Sequence, residues 1–157
     1  MIEMINVQKT YPNGVSAVKG LNVKIQSGEF VYVVGPSGAG KSTFIKMMYR
    51  EEKPTSGTIT INGRNIANIK DRKVPLLRRD IGVIFQDFKL LNNLTVFENI
   101  AFALEVTEER PQVIKEKVMD VLELGGLKHK VRMLPTELSG GEQQRVAIAR
   151  SIVRSPK

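Results

Sequence analysis

The chain has 157 residues, of which 41% are apolar and 25% charged, with 24 Lys+Arg against 16 Asp+Glu and a net charge of +8. That size suits one packed domain, and the apolar content excludes disorder as its main theme. The absence of Cys excludes disulfides, thiolate metal sites and thiol catalysis, and a single His leaves little from which to build a His-based metal site or a Ser–His–Asp triad.

Residues 2–7 form a short apolar-rich stretch, and Tyr11-Pro12-Asn13-Gly14 signals a turn. Val15 to Ile25 alternates, with Val18, Leu21, Val23 and Ile25 set against Lys19, Asn22 and Lys24, which predicts a half-buried strand. The run Glu29–Val34 is continuous and β-prone, as in a parallel strand buried on both faces. A glycine-rich loop follows, from Gly35 to Gly40. Lys41 to Arg50 then reads as a helix with Phe44, Ile45, Met47 and Met48 on its apolar face. Thr58–Ile61 reads as a strand ending at the Asn62-Gly63 turn, and residues 64–80 are polar and basic. Ile81–Phe85 is a second candidate for a buried strand.

The rest is mostly helical. A helix starts near Thr95, and another starts at Pro111 and ends at Gly125-Gly126. Ser139 opens a last helix that runs to about Arg154. No apolar run approaches the roughly 18–20 residues of a membrane span, and the first residues do not resemble a secretory signal. With no Cys, the expected location is a cytosol, with any membrane contact peripheral. The basic balance suits a phosphorylated ligand, an anionic membrane surface or nucleic acid, or is simply a solvated surface.

Two segments carry chemistry. Gly35-Pro36-Ser37-Gly38-Ala39-Gly40-Lys41-Ser42 is the G-x-x-x-x-G-K-[ST] pattern, lying between a predicted strand and a predicted helix. Small residues let successive backbone N–H groups face phosphate oxygens, and the helix that follows points its positive end at the same anion. Lys41 reaches the β- and γ-phosphates, Ser42 offers a hydroxyl to Mg²⁺, and Thr43 offers another to a phosphate oxygen. The second segment is Leu138-Ser139-Gly140-Gly141-Glu142. Ser139 with Glu142 is an ordinary capping box, but the same geometry makes an anion site of the helix start.

The two motifs, separated by a long intervening stretch, resemble the nucleotide-binding domain of ATP-binding-cassette (ABC) proteins, and the likeness spans nearly the whole chain. It implies an α/β P-loop NTPase fold with an N-terminal antiparallel β part and a helical subdomain. Residues 1–91 would form the ATP-binding core with its β subdomain, 92–138 the helical subdomain, and 139–157 the signature helix. It further implies that Tyr11 stacks on adenine and that Gln86 is the Q-loop glutamine, which binds Mg²⁺ and helps place the attacking water. Lys41 and Gln86 are thus the catalytic candidates, and Ser42 and Gln86 the metal candidates. Ser139, Gly140, Gly141 and Glu142 would contact ATP held by a second copy, in a head-to-tail dimer.

Residues 74–91 and 127–132 narrow the resemblance to the cell-division branch of the family in its Gram-positive form, which shares Glu in place of the usual Gln at position 142. That branch implies an integral membrane partner of the FtsX type and control of cell-wall hydrolases, with no specific nucleic acid expected. The alternatives are the ATPase of a lipoprotein, macrolide or amino-acid transporter, a soluble ABC protein acting on DNA or ribosomes, and a non-catalytic interaction module. An ABC domain continues beyond its signature helix with a strand closed by Asp-Glu, a D-loop and a switch His. No apolar run closed by Asp-Glu occurs in these 157 residues, and His129 precedes the signature. The expectation is a chain that lacks the C-terminal part of the sheet and binds nucleotide at most, hydrolysis belonging to a longer parent.

Overall fold

The computed structural model describes residues 1–156. The chain divides into two compact units, one from Met1 to Arg79 and the other from Asp80 onward.

The first unit is built on an antiparallel sheet of β1 (Ile2–Thr10), β2 (Ser16–Ile25), β3 (Ser56–Ile61) and β4 (Arg64–Asn65), in the order β2-β1-β3-β4. One extra residue in β1 decides its inner face. Met4 pairs with Val23 and Val7 with Leu21, so three steps on β1 oppose two on β2. Asn6 takes up the difference with a left-handed φ of 48°, and its amide donates to Asn22 Oδ1 at 2.8 Å. This bulge turns both Met4 and Val7 inward, where they are buried with Ile59, Phe44 and Met47. Helix α1 (Lys41–Met48) supplies the last two. A short helix, α2 (Val74–Arg79), closes the unit within the basic stretch and was not foreseen.

The second unit packs α3 (Val96–Glu105), α4 (Pro111–Leu124) and α5 (Gly140–Ile152) around Val96, Ile100, Leu104, Val118, Leu122 and Val146. Each of these side chains contributes on the order of 2 kcal/mol by leaving water. The helix starts are local in origin. Thr95 and Glu98 form a reciprocal capping box at α3, Pro111 takes the first position of α4, and Ser139 with Glu142 caps α5. Among the described residues no helix is long and apolar enough to cross a membrane.

The two expected buried strands do not form. Residues 29–34 and 81–85 join no sheet ladder. Phe30, Tyr32 and Val34 are 83%, 79% and 85% exposed, and Val31, Val33 and Ile84 are exposed as well. A parallel strand is held by hydrogen bonds to neighbours on either side, and no described segment supplies them. Among the described residues the antiparallel sheet and the helical unit are present and the parallel layer is not.

Candidate functional site

The phosphate-loop pattern lies in the first unit, between the extended run 29–34 and α1. Gly40 caps α1 with φ 84° and ψ 7°. A Cβ at this position would run into the Ala17 carbonyl oxygen, so both the backbone angle and the close approach of β2 require glycine. Gly38 also has positive φ, at 79°, but faces open space. The loop residues Gly35, Pro36, Ser37, Gly38 and Ala39 are exposed. Lys41 folds back over the loop, its Nζ donating to Gly35 O at 2.7 Å and Pro36 O at 2.8 Å. The first-turn amides of α1 have no acceptor within the helix, and that turn carries no acidic residue. An open glycine cradle, a lysine ammonium and free amides fit a polyphosphate.

Ser42 is exposed at the start of α1, whereas Thr43 is buried. Thr43 Oγ1 lies 3.1 Å from the Tyr11 hydroxyl, which ties the Tyr11 turn to the helix of the phosphate loop. The Tyr11 ring is half-buried, and Lys9 Nζ sits 4.9 Å from its centroid. Lys9 is itself anchored by Glu52 at 2.7 Å and by the Lys53 carbonyl at 2.9 Å. One ring face is thereby occupied by a cation. The motif did not reveal either contact, because β2, the glycine-rich loop and α1 separate Lys9 from Glu52 along the chain.

Gln86 and the signature lie in the second unit. Gln86 is exposed in a turn. The two residues after Asp87, Phe88 and Lys89, are both left-handed, with φ 57° and 48°. Arg150 of α5 holds this kink, donating from one amino group to Phe88 O at 2.6 Å and from the other to Lys89 O at 2.8 Å. Partial burial pushes the Arg150 pKa down. Asn99, fully buried, fastens the next stretch. Its amide donates to the carbonyls of Leu91, Leu94 and Thr95 at 2.9–3.0 Å and accepts from Leu91 N at 2.8 Å. Neither residue was singled out from sequence.

At the signature, Glu142 Oε2 accepts from the Ser139 amide and from the Ser139 hydroxyl, each at 2.8 Å. These bonds hold the Glu142 carboxyl below its usual range, and Lys130 at 3.5 Å adds to the effect. Gly140 and Gly141 occupy the first turn of α5 without positive φ, and a Cβ on Gly140 would meet nothing within 4 Å. Glycine costs about 1 kcal/mol against Ala within a helix, and here neither backbone angle nor packing requires it. The glycines leave a bare, exposed helix start. Among the described residues no cluster of three His, Cys, Asp or Glu could hold a metal ion.

The ABC transporter family model matches residues 18–157, and the chain belongs to that family. Within it, the chain is 67% identical to the cell division ATP-binding protein FtsE of Bacillus subtilis, over 99% of this chain and 68% of that protein. FtsE of Streptococcus pneumoniae is 59% identical, over 100% and 68%. The methionine import ATP-binding protein MetN of Helicobacter pylori is 46% identical, over 99% and 48%. Among solved structures, the dimeric bacterial ABC transporter cassette MJ0796 superposes with a TM-score of 0.91 at 37% identity, covering 99% of this chain and 71% of that one. A post-hydrolysis state of the same cassette, bound to ADP and Pi, gives 0.91 at 36%, with the same coverage.

Proposed function

We propose that the chain is the ATP-binding part of an FtsE-type ABC ATPase that works with an FtsX-like membrane subunit in cell division, on the inner face of the plasma membrane. The observation that carries this reading is the left-handed Gly40 cap with Lys41 turned across the loop carbonyls beside an open glycine cradle. The higher identity to FtsE than to MetN favours the division role over amino-acid transport; recovery of a substrate-binding transporter in a pull-down, in place of a four-span division protein, would reverse that choice.

Each residue then has a task. Lys41 exchanges its two carbonyl acceptors for β- and γ-phosphate oxygens. The amides of the loop and the α1 start bind the remaining oxygens, and Thr43 keeps its hydroxyl beside them. Tyr11 offers adenine the ring face away from Lys9. Ser42 offers a hydroxyl to Mg²⁺, and Gln86 carries the Q-loop role. In a longer parent, ATP with Mg²⁺ would supply the γ-phosphoryl group that passes to water when the β–γ anhydride bond is broken. Ser139, Gly140, Gly141 and Glu142 meet the nucleotide of a second copy, and the bare glycine turn leaves room for that approach. The functional division is core 1–91, helical part 92–138 and signature helix 139–157. The partner groove lies near residues 86–105, where Leu91 stays exposed while Val96 and Ile100 are core. These 157 residues bind ATP without turning it over at a useful rate, because no Asp-Glu strand end occurs among them.

A fluorescent ATP analogue titrated into wild-type and Lys41→Ala protein tests the reading. Binding at least about ten-fold weaker in the variant is expected, since Lys41 makes charge-assisted contacts. Equal binding would refute the site. Phosphate release well above background, lost in Lys41→Ala, would refute the proposed inactivity.

A further inference from the structure

The helical turn Asp71–Lys73 runs directly into α2, so residues 71–79 form one helical run with two distinct stripes. The inner stripe is Val74, Leu77 and Arg78, spaced i, i+3, i+4. Val74 and Leu77 are buried, and Arg78 bonds to the carbonyls of Tyr49 at 2.9 Å and Arg50 at 3.3 Å. The outer stripe is Arg72, Leu76 and Arg79, spaced i, i+4, i+7, with Lys73 and Pro75 beside it. All five are exposed. Lys70 joins them, its carbonyl closing the turn to the Lys73 amide at 2.8 Å.

Residues 64–79 contain six Lys or Arg and one acidic residue, Asp71. Asp71 is committed to Lys53 at 3.0 Å. Among the described residues Lys70, Arg72 and Lys73 enter no ion pair. At the centre of this basic stripe stands Leu76, 48% exposed. The fold does not use it, since Val74 and Leu77 already fill the inner side. The nucleotide chemistry does not use it either.

We propose that the run 70–79 docks on an anionic lipid bilayer, with Lys70, Arg72 and Lys73 on headgroup phosphates and Leu76 entering the acyl boundary. The proposal rests on the reading that the chain works at a membrane. Lipid is favoured over nucleic acid by the centre of the stripe. An aliphatic side chain gains by entering the acyl boundary and gains nothing on a phosphate backbone, and no aromatic residue occurs between 64 and 79 to stack on bases. Three or four basic residues and one leucine give a weak, salt-sensitive contact that orients the chain on the surface.

The test is sedimentation of the 157-residue chain with vesicles of equal parts phosphatidylglycerol and phosphatidylcholine, against vesicles of phosphatidylcholine alone. Binding should require phosphatidylglycerol and fall as salt is raised. Arg72→Gln with Lys73→Gln should bind about thirty-fold more weakly, and Leu76→Ser about five-fold more weakly. Lys115→Gln with Arg132→Gln removes the same charge from exposed sites outside the stripe and should change little. Equal binding to both vesicle types, an unchanged stripe variant, or an equal loss in the control pair would overturn the proposal. So would retention on duplex DNA with no vesicle binding. The vesicles hold no protein, so failure here leaves the FtsX-like partner reading standing; that reading fails separately if the chain recovers no membrane subunit.

Discussion

Removing Arg150 isolates what one guanidinium does for the segment after Gln86. It serves two carbonyls, at 2.6 and 2.8 Å, on two consecutive left-handed residues. Hydrogen bonds from a charged donor contribute about 1.5–3 kcal/mol each, so at about 2 kcal/mol for each Arg150→Ala forfeits about 4 kcal/mol. The freed backbone at Phe88 and Lys89 then relaxes and recovers about 1 kcal/mol per residue. A net loss of about 2 kcal/mol is expected, concentrated in local opening of this kink. Lys89 is exposed and is itself a tryptic site, so the rate of cleavage after it reads that opening directly. Cleavage should be about thirty-fold faster in Arg150→Ala, the ratio corresponding to 2 kcal/mol when closing outpaces cleavage. Arg150→Lys keeps the charge but cannot span both carbonyls, and should fall between the two, at about five-fold. Unchanged cleavage in Arg150→Ala, together with an unchanged urea midpoint, would refute the clamp.

Gly40→Ala drives a Cβ into the Ala17 carbonyl at a left-handed position; a loss of about 3 kcal/mol is expected as a clear drop in melting temperature, with nucleotide binding lost alongside. Asn99→Leu strands the Leu94 carbonyl and the Leu91 amide, while the Leu91 and Thr95 carbonyls keep their backbone donors Leu94 N and Asn99 N, and should cost about 3 kcal/mol in urea unfolding followed by circular dichroism. Glu98 and Glu142 both have depressed pKa values, each held down first by the backbone amide of its cap residue. Their contribution to stability is therefore complete above the ordinary 4.5 and is lost as pH falls through the lowered values. Glu98→Gln with Glu142→Gln should flatten that acid limb in an unfolding series below pH 4.5 while leaving neutral-pH folding in place.

What could be read from the sequence follows how local each cause is. Thr95, Pro111, Gly125 and Ser139 mark helix ends because a cap acts on its own helix within four residues. The glycine-rich loop ahead of α1 was legible for the same reason: its geometry is built from eight consecutive residues. The runs 29–34 and 81–85 were misjudged because being a strand requires lateral neighbours, and β-propensity does not say whether they are present. Helix α2 escaped because its inner stripe includes Arg78, which reads as surface and instead bonds inward. Arg150 and Asn99 were hidden more thoroughly. Arg150 looks like any polar residue of an amphipathic helix, and its acceptors lie some sixty residues earlier.

The bare run 29–34 has a consequence for handling the molecule. Five of its six side chains are apolar or aromatic, and all six residues are open to solvent. Such a segment is a template for cross-β growth between copies, restrained by Glu29 at one end and Gly35-Pro36 at the other. Shelf life in a stock solution of this chain is thus set by encounters between copies and shortens as concentration rises. A lysine at Tyr32 or Val34 would lengthen it without touching the core.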